Sequence, residues 1–222
     1  MEKFVFVVLA YLVGSIPFSY LLGKLIKGED IRKKGSGNLG ATNAYRVFGK
    51  LVGTLVLVLD TAKGGIIIAL MMYTGIFVGY DLFHPLVYGL FAVLGHIFPI
   101  WFKFKGGKGV ASSFGLLLAY NPLIAIIVIP IFILTEFLTR YVSVASTVAS
   151  VFSLIYALVY VLIRQDDWIF LVVTFVIVSL IIFKHRSNYI RLRNHQENRV
   201  RLFDWFDRLL EKRKKASDNK DI

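Results

Sequence analysis

Long apolar runs alternate with short polar, glycine-rich and basic segments along the whole chain. A helix that crosses the hydrocarbon core of a bilayer needs about 20 residues, with roughly 17 to 25 observed. Residues 4–26, 82–100 and 144–163 meet that requirement. Residues 168–183 are slightly short, but Trp168, Lys184 and Arg186 flank them with side chains suited to the membrane interfaces. Residues 51–78 exceed one span, and counting about 20 residues back from Gly79 puts Asp60 near the membrane entry. The first run is too long for a signal-peptide core and has no basic region before it, so it reads as a retained helix.

The stretch 110–138 admits two readings: one kinked helix, or a short helix, a turn at Asn121-Pro122 and a second helix. Charge decides between them. With a turn, there are seven helices, and the segments facing the side of residues 35–46 hold 24 of the 26 Lys and Arg, leaving Lys3 and Arg164 opposite. Without it, the twelve Lys and Arg of residues 184–220 cross to the other side, against the positive-inside rule. The pattern therefore predicts an all-α integral membrane protein, a seven-transmembrane-helix bundle with its N-terminus outside and its C-terminus cytosolic. Residues 110–120 form only about 16 Å of helix, half the hydrocarbon thickness. They are expected to be a short half-helix that draws the segment before it into the membrane.

Composition agrees: 57% of residues are apolar and the mean hydropathy is +0.68. No internal repeat or Ser/Pro-rich linker divides the chain, so residues 1–200 are expected to form a single membrane-embedded domain. Residues 201–222, with Leu202, Phe203, Trp205 and Phe206 among charges, read as a basic amphipathic cytosolic tail. The absence of cysteine excludes disulfides, thiolate metal sites and a cysteine acyl-enzyme.

The chemistry is concentrated in three polar segments: residues 35–46 (GSGNLGATNAYR), 103–109 (KFKGGKG) and 185–197 (HRSNYIRLRNHQE). The predicted topology puts all three on one side of the bilayer. In the second, Gly106, Gly107 and Gly109 leave room for backbone amides to approach an anion, and Lys105 and Lys108 add positive charge. The half-helix that follows points its positive dipole end at the same place. The first segment formally matches GxGxxG, but it lies between membrane helices instead of after a strand, so a dinucleotide site is rejected. What remains is a set of phosphate or polyol donors: Ser36, Asn38, Thr42, Asn43 and Arg46. In the third, His185 and Asn188 lie three residues apart; a histidine there is a general base, a phosphate ligand or an interfacial bystander. Asp60 and Lys63 share a helix face and read as a structural ion pair lining a polar cavity, and Ser143 is expected to face that cavity. His84, His96 and His195 form no zinc-binding pattern, so no metal site is expected.

These segments resemble the bacterial membrane acyltransferases that use acyl-phosphate to acylate glycerol 3-phosphate. The similarity extends over the whole chain and includes GHIFPIWFKFKGGKGVA at residues 95–111, LDTAKG at 59–64 and RYVSVAS at 140–146. The resemblance implies transfer of a fatty acyl group from acyl-phosphate to the 1-hydroxyl of sn-glycerol 3-phosphate. The products are lysophosphatidic acid and phosphate, in the first step of phospholipid biosynthesis. It also implies that neither acyl-CoA nor acyl carrier protein is the direct donor; correspondingly, no histidine here has Asp five positions later. It places the glycine loop at glycerol 3-phosphate and Glu197 in local structure; His185, Asn188, Ser36 and Arg46 are the residues expected to act in catalysis. No cofactor, metal or nucleic acid is called for. The partners are acyl-phosphate, glycerol 3-phosphate, the lipid bilayer and an acyl-phosphate-producing enzyme, and the location is the bacterial cytoplasmic (inner) membrane. His195 stands where the family's third motif has glycine, which leaves the turn around Asn194 open. Two other classes compete. An organic-phosphate transporter or channel also uses half-helix dipoles, but here the polar groups gather near one face. A membrane scaffold explains the basic tail and not the three segments.

Overall fold

The computed structural model describes residues 1–199, whose regular elements are all helices; residues 200–222, with the expected amphipathic tail at 201–222, lie outside the described residues. The first apolar run is not one straight helix. It divides into α1 (Glu2–Gly14) and α2 (Phe18–Lys27), bent by 40°. Pro17 causes the break, because it has no amide to donate and its ring disfavours helical geometry at Ile16. At the break the Ile16 carbonyl accepts from Phe18 N (3.2 Å) and from Lys63 Nζ (2.7 Å).

Helix α3 (Ala41–Tyr73) begins ten residues earlier than the hydrophobic pattern shows, inside the first polar segment, and kinks at Gly49 (φ 84°). Its apolar part, Lys50–Tyr73, is long enough to cross a membrane, as are Pro85–Phe102, Pro122–Thr139 and Val142–Arg164. Helix α4 (Pro85–Ile97) starts with proline at its first position, where a missing amide costs nothing. Next come α5 (Val110–Tyr120) and α6 (Pro122–Thr139), separated by the expected turn. Asn121 caps α6 by accepting from Ile124 N at 3.3 Å. The last helices are α7 (Val142–Arg164), α8 (Trp168–Lys184) and α9 (Arg186–Arg193), with a 45° bend between α8 and α9.

Small residues set the closest helix contacts, as expected where lipid supplies no hydrophobic drive for association. A Cβ on Gly64 would lie 2.0 Å from Ser112 O, and one on Gly115 would lie 1.8 Å from Thr61 O. Helices α3 and α5 therefore touch backbone to backbone, which fixes the start of α5 beside Asp60 and Lys63. One end of the bundle is tied by Lys3 to Asp81 (2.8 Å) and by Tyr120 Oη, which donates to Asp167 Oδ2 (2.5 Å) and meets His84 Nε2 (3.3 Å). The three polar segments occupy the opposite end. Outward-facing Leu134, Leu138, Leu158, Leu162, Val172 and Phe175 are exposed and form an apolar belt.

Candidate active site

The three segments converge on one cavity of about 640 Å³. The first is shaped by Asn43, only 1% exposed, whose Oδ1 accepts from Ser36 N (2.9 Å) while Nδ2 donates to Lys34 O (3.2 Å) and Asn38 O (3.1 Å). Gly35, at φ +59°, makes this turn possible; a Cβ there would sit 2.2 Å from Asn43 Oδ1. Asn43, expected to orient a substrate, lines the cavity with its amide engaged by the loop. The loop is pinned further by Arg32, stacked between Tyr20 and Phe102 (5.1 and 4.6 Å), and by Ser19 Oγ donating to Leu39 O (2.7 Å). Ser36, Thr42 and Arg46 line the cavity, and their side chains have no hydrogen-bond partner among the described residues. Asn38 bridges to the second segment by donating to Gly106 O (3.2 Å) while accepting from Gly40 N (3.3 Å).

The second segment folds back on the end of α4. Gly106 N donates to Ile97 O (3.2 Å) and Gly107 N to His96 O (3.1 Å), so two of the amides expected to cradle phosphate are already engaged. Gly107 does not line the cavity; it is needed because a Cβ there would meet His96 Nε2 at 2.0 Å. The amides that remain are those of the first turn of α5, whose cap Gly109 (φ 88°) supplies no side chain. The loop thus leaves the N-terminus of α5 at the cavity wall, while the amides of Gly106 and Gly107 are engaged by the end of α4. Lys105 is exposed at the mouth. Lys108 lies deeper and donates to Asn188 Oδ1. Burial, with Arg191, Arg46 and Lys184 nearby, brings its ammonium down to about 8.

The third segment is locked by Glu197. Its Oε1 accepts from Asn188 Nδ2 (2.7 Å) and Ser143 Oγ (3.3 Å), and its Oε2 accepts from Arg191 Nε (2.8 Å). Lys108, Asn188, Glu197 and Arg191 thereby form one chain of contacts across the second and third segments. His185, 2% exposed at the end of α8, donates from Nδ1 to Ile181 O (2.8 Å), since a carbonyl oxygen only accepts. In the neutral ring this leaves Nε2 with a free lone pair. His195 takes φ +56°, in the left-handed region that favours glycine, so the turn after Asn194 is left-handed.

Asp60 is 1% exposed, enclosed by the bundle. Lys63 Nζ lies 2.7 Å and His96 Nδ1 3.5 Å from its Oδ1, and both Asp60 and His96 line the cavity. Sequence reasoning passed over His96 as a site residue. It lies 36 positions from Asp60, on another helix, and no periodicity connects them. Ser113, Ser146, Ser150 and Ser153 also line the cavity without having been foreseen. Beyond the polar mouth the wall turns apolar, with Leu117, Val128, Phe132 and Ile181. Leu57, Ile129 and Ile133 both line the cavity and are exposed on the lipid-facing surface, so this part opens sideways toward lipid.

A multi-pass helical membrane protein in which basic and polar groups meet an apolar groove has the makings of a membrane lipid enzyme. Residues 4–195 match the protein family described as glycerol-3-phosphate acyltransferase. Relatives include the glycerol-3-phosphate acyltransferase of Bacillus subtilis (strain 168), 43% identical over 88% of this chain and 96% of its own. That of Exiguobacterium sibiricum is 46% identical over 88% of this chain and 92% of its own. The crystal structure of PlsY, an integral membrane glycerol 3-phosphate acyltransferase, in its glycerol 3-phosphate form, superposes with a TM-score of 0.79. It is 37% identical, over 90% of this chain and 96% of that one. The lysophosphatidic acid form of the same protein gives a TM-score of 0.76. The chain belongs to the glycerol-3-phosphate acyltransferase family and is an integral, multi-pass membrane protein.

Proposed function

We propose that the protein transfers a fatty acyl group from acyl-phosphate to the 1-hydroxyl of sn-glycerol 3-phosphate. The observation that carries this reading is a single cavity whose mouth gathers Arg46, Lys105, Lys108 and the start of α5, and whose interior is apolar and open to lipid. Two phosphate-bearing substrates, one with a long chain, require both halves. The hydroxyl oxygen bonds to the acyl carbon, the bond from that carbon to phosphate breaks, and the hydroxyl proton ends on the released phosphate. Lysophosphatidic acid and inorganic phosphate are the products. Arg46, Ser36 and Thr42 hold and orient phosphate and glycerol groups, with Asn38 keeping the two loops together. His185 Nε2 and Asn188 position the attacking hydroxyl, and His185 is placed to pass its proton on. An acyl-phosphate is already activated, so no covalent acyl-enzyme is required.

Residues 1–200 act as one domain with seven spans: the two bent pairs, the four long helices and the half-helix α5. The basic excess at the polar end supports placing that end, and the active site, in the cytosol of a bacterial inner membrane. An acyl-phosphate-producing enzyme is the natural companion. The transporter reading loses support because buried Ile68, Leu86, Leu116, Ile124 and Phe170 fill the bundle beyond the cavity. Purified protein given acyl-phosphate and labelled glycerol 3-phosphate should form lysophosphatidic acid, while acyl-CoA should give none. Product from acyl-CoA alone would overturn the donor assignment.

A further inference from the structure

Ser113 lies 7% exposed in the cavity wall, and its hydroxyl oxygen is buried without a hydrogen-bond partner among the described residues. A buried hydroxyl at helix depth usually donates to the carbonyl one turn back. Here that carbonyl, Gly109 O, is taken by the amide of Ser113 (2.8 Å) and by the Ser112 hydroxyl (3.2 Å). The position is equally telling. Along α5, Lys108 precedes the first turn at the polar mouth, Ser113 stands about 6 Å deeper than Gly109, and Leu117 follows one turn further on in the apolar wall. Ser113 therefore marks the boundary between the charged and apolar halves of the cavity. That boundary is where the carbonyl of an acyl donor must lie, whichever basic residue holds its phosphate.

We propose that the Ser113 hydroxyl, together with the unpaired amides in the first turn of α5, receives the acyl carbonyl oxygen of the donor and stabilises the charge that develops on it during transfer. The proposal rests on acyl-phosphate being the donor. As the glycerol hydroxyl oxygen bonds to the acyl carbon, the carbonyl electron pair moves onto the oxygen held by Ser113. It returns when the carbon–oxygen bond to phosphate breaks; phosphate leaves with that bond's electrons and takes up the hydroxyl proton. Ser113 only donates a hydrogen bond, and the positive end of α5 faces the same oxygen.

The test compares wild type, Ser113→Ala, Ser113→Cys and Ser112→Ala using two non-reactive probes of equal chain length. One is an acyl phosphonate, which keeps the carbonyl; the other is an alkyl phosphate, which lacks it. Ser113→Ala should lower kcat about 100-fold and leave KM for glycerol 3-phosphate unchanged. It should weaken inhibition by the acyl phosphonate about 5- to 20-fold, the loss of one hydrogen bond, without altering inhibition by the alkyl phosphate. Ser113→Cys, a weaker donor of similar size, should fall between, and Ser112→Ala should stay within about 3-fold of wild type because its hydroxyl serves only Gly109. Wild-type kcat in Ser113→Ala, or equal weakening of both inhibitors, overturns the proposal. If the wild type itself fails to use acyl-phosphate, the donor assignment falls and this proposal with it.

Discussion

Glu197 offers the sharpest separation between a structural carboxylate and a proton carrier. Replacement by Ala removes three hydrogen bonds: from Asn188 Nδ2 at 2.7 Å, Arg191 Nε at 2.8 Å and Ser143 Oγ at 3.3 Å. The first two are charge-assisted, each worth about 1.5 to 3 kcal/mol. Losing the one that orients Asn188 should cost transition-state binding of that order, a fall in kcat/KM of about 10- to 100-fold, at 1.4 kcal/mol per tenfold. Replacement by Gln keeps one oxygen as acceptor for Asn188 and Ser143 but turns an amide donor toward Arg191 Nε, so the charge and the hydrogen bond on that side are both given up. The Arg191 side chain is 35% exposed, so solvent screens that interaction and the loss should be near 1 kcal/mol, or about 5-fold. Steady-state kinetics of Glu197→Ala and Glu197→Gln across pH 6 to 9 make the distinction. If Gln were as inactive as Ala and a limb of the pH profile disappeared, Glu197 would be moving a proton; if Ala were fully active, the network would not hold Asn188.

Four further outcomes are expected. Gly107→Ala drives a methyl into His96, which is backed by Asp60, at a cost of about 1 to 3 kcal/mol; the melting temperature in detergent should fall by several degrees and KM for glycerol 3-phosphate should rise, and no change in either would contradict the packing. Lys108 carries its charge below about 8 and loses it above, so KM for glycerol 3-phosphate should be flat on the acid side and climb as pH passes that value. Lys108→Arg should abolish the climb, and a climb that persists would place its origin elsewhere. Asp60→Asn or Lys63→Met alone strands a buried partner and should cost about 3 to 5 kcal/mol in unfolding experiments, whereas the double variant should cost less than the sum; additive losses would mean that the pair is not coupled. Because the chain has no cysteine, single cysteines at Asn121 and Lys215 report topology directly, and labelling both from the same side would exclude seven spans.

The apolar runs, the Asn121-Pro122 turn and the half-length of α5 were legible in the sequence. Run length, proline and charge asymmetry act locally or additively, and each can be counted along a chain. The broken first helix was less so, since Pro17 within an apolar run is compatible with a kink or a straight span, and packing against α4 and Lys63 selects between them. In the site, the basic and polar side chains of all three segments were foreseen. Which of them are spent on each other was not: Asn43 serves its own loop, and the amides of Gly106 and Gly107 serve the end of α4.

By itself, then, the order of residues determined a helical membrane protein of the acyltransferase type with its basic and polar groups in three segments, because hydrophobicity, charge and motif chemistry belong to the residues wherever they sit. The tertiary structure alone decided that Lys108 meets Asn188 from 80 positions away, that His96 stands between Asp60 and Gly107, and that Ser113 is left with a free hydroxyl at the polar boundary. Those relations depend on the backbone contact of α3 with α5 and on the fold of one loop over α4. A side chain's partner, unlike its chemistry, is set by which surfaces close against each other.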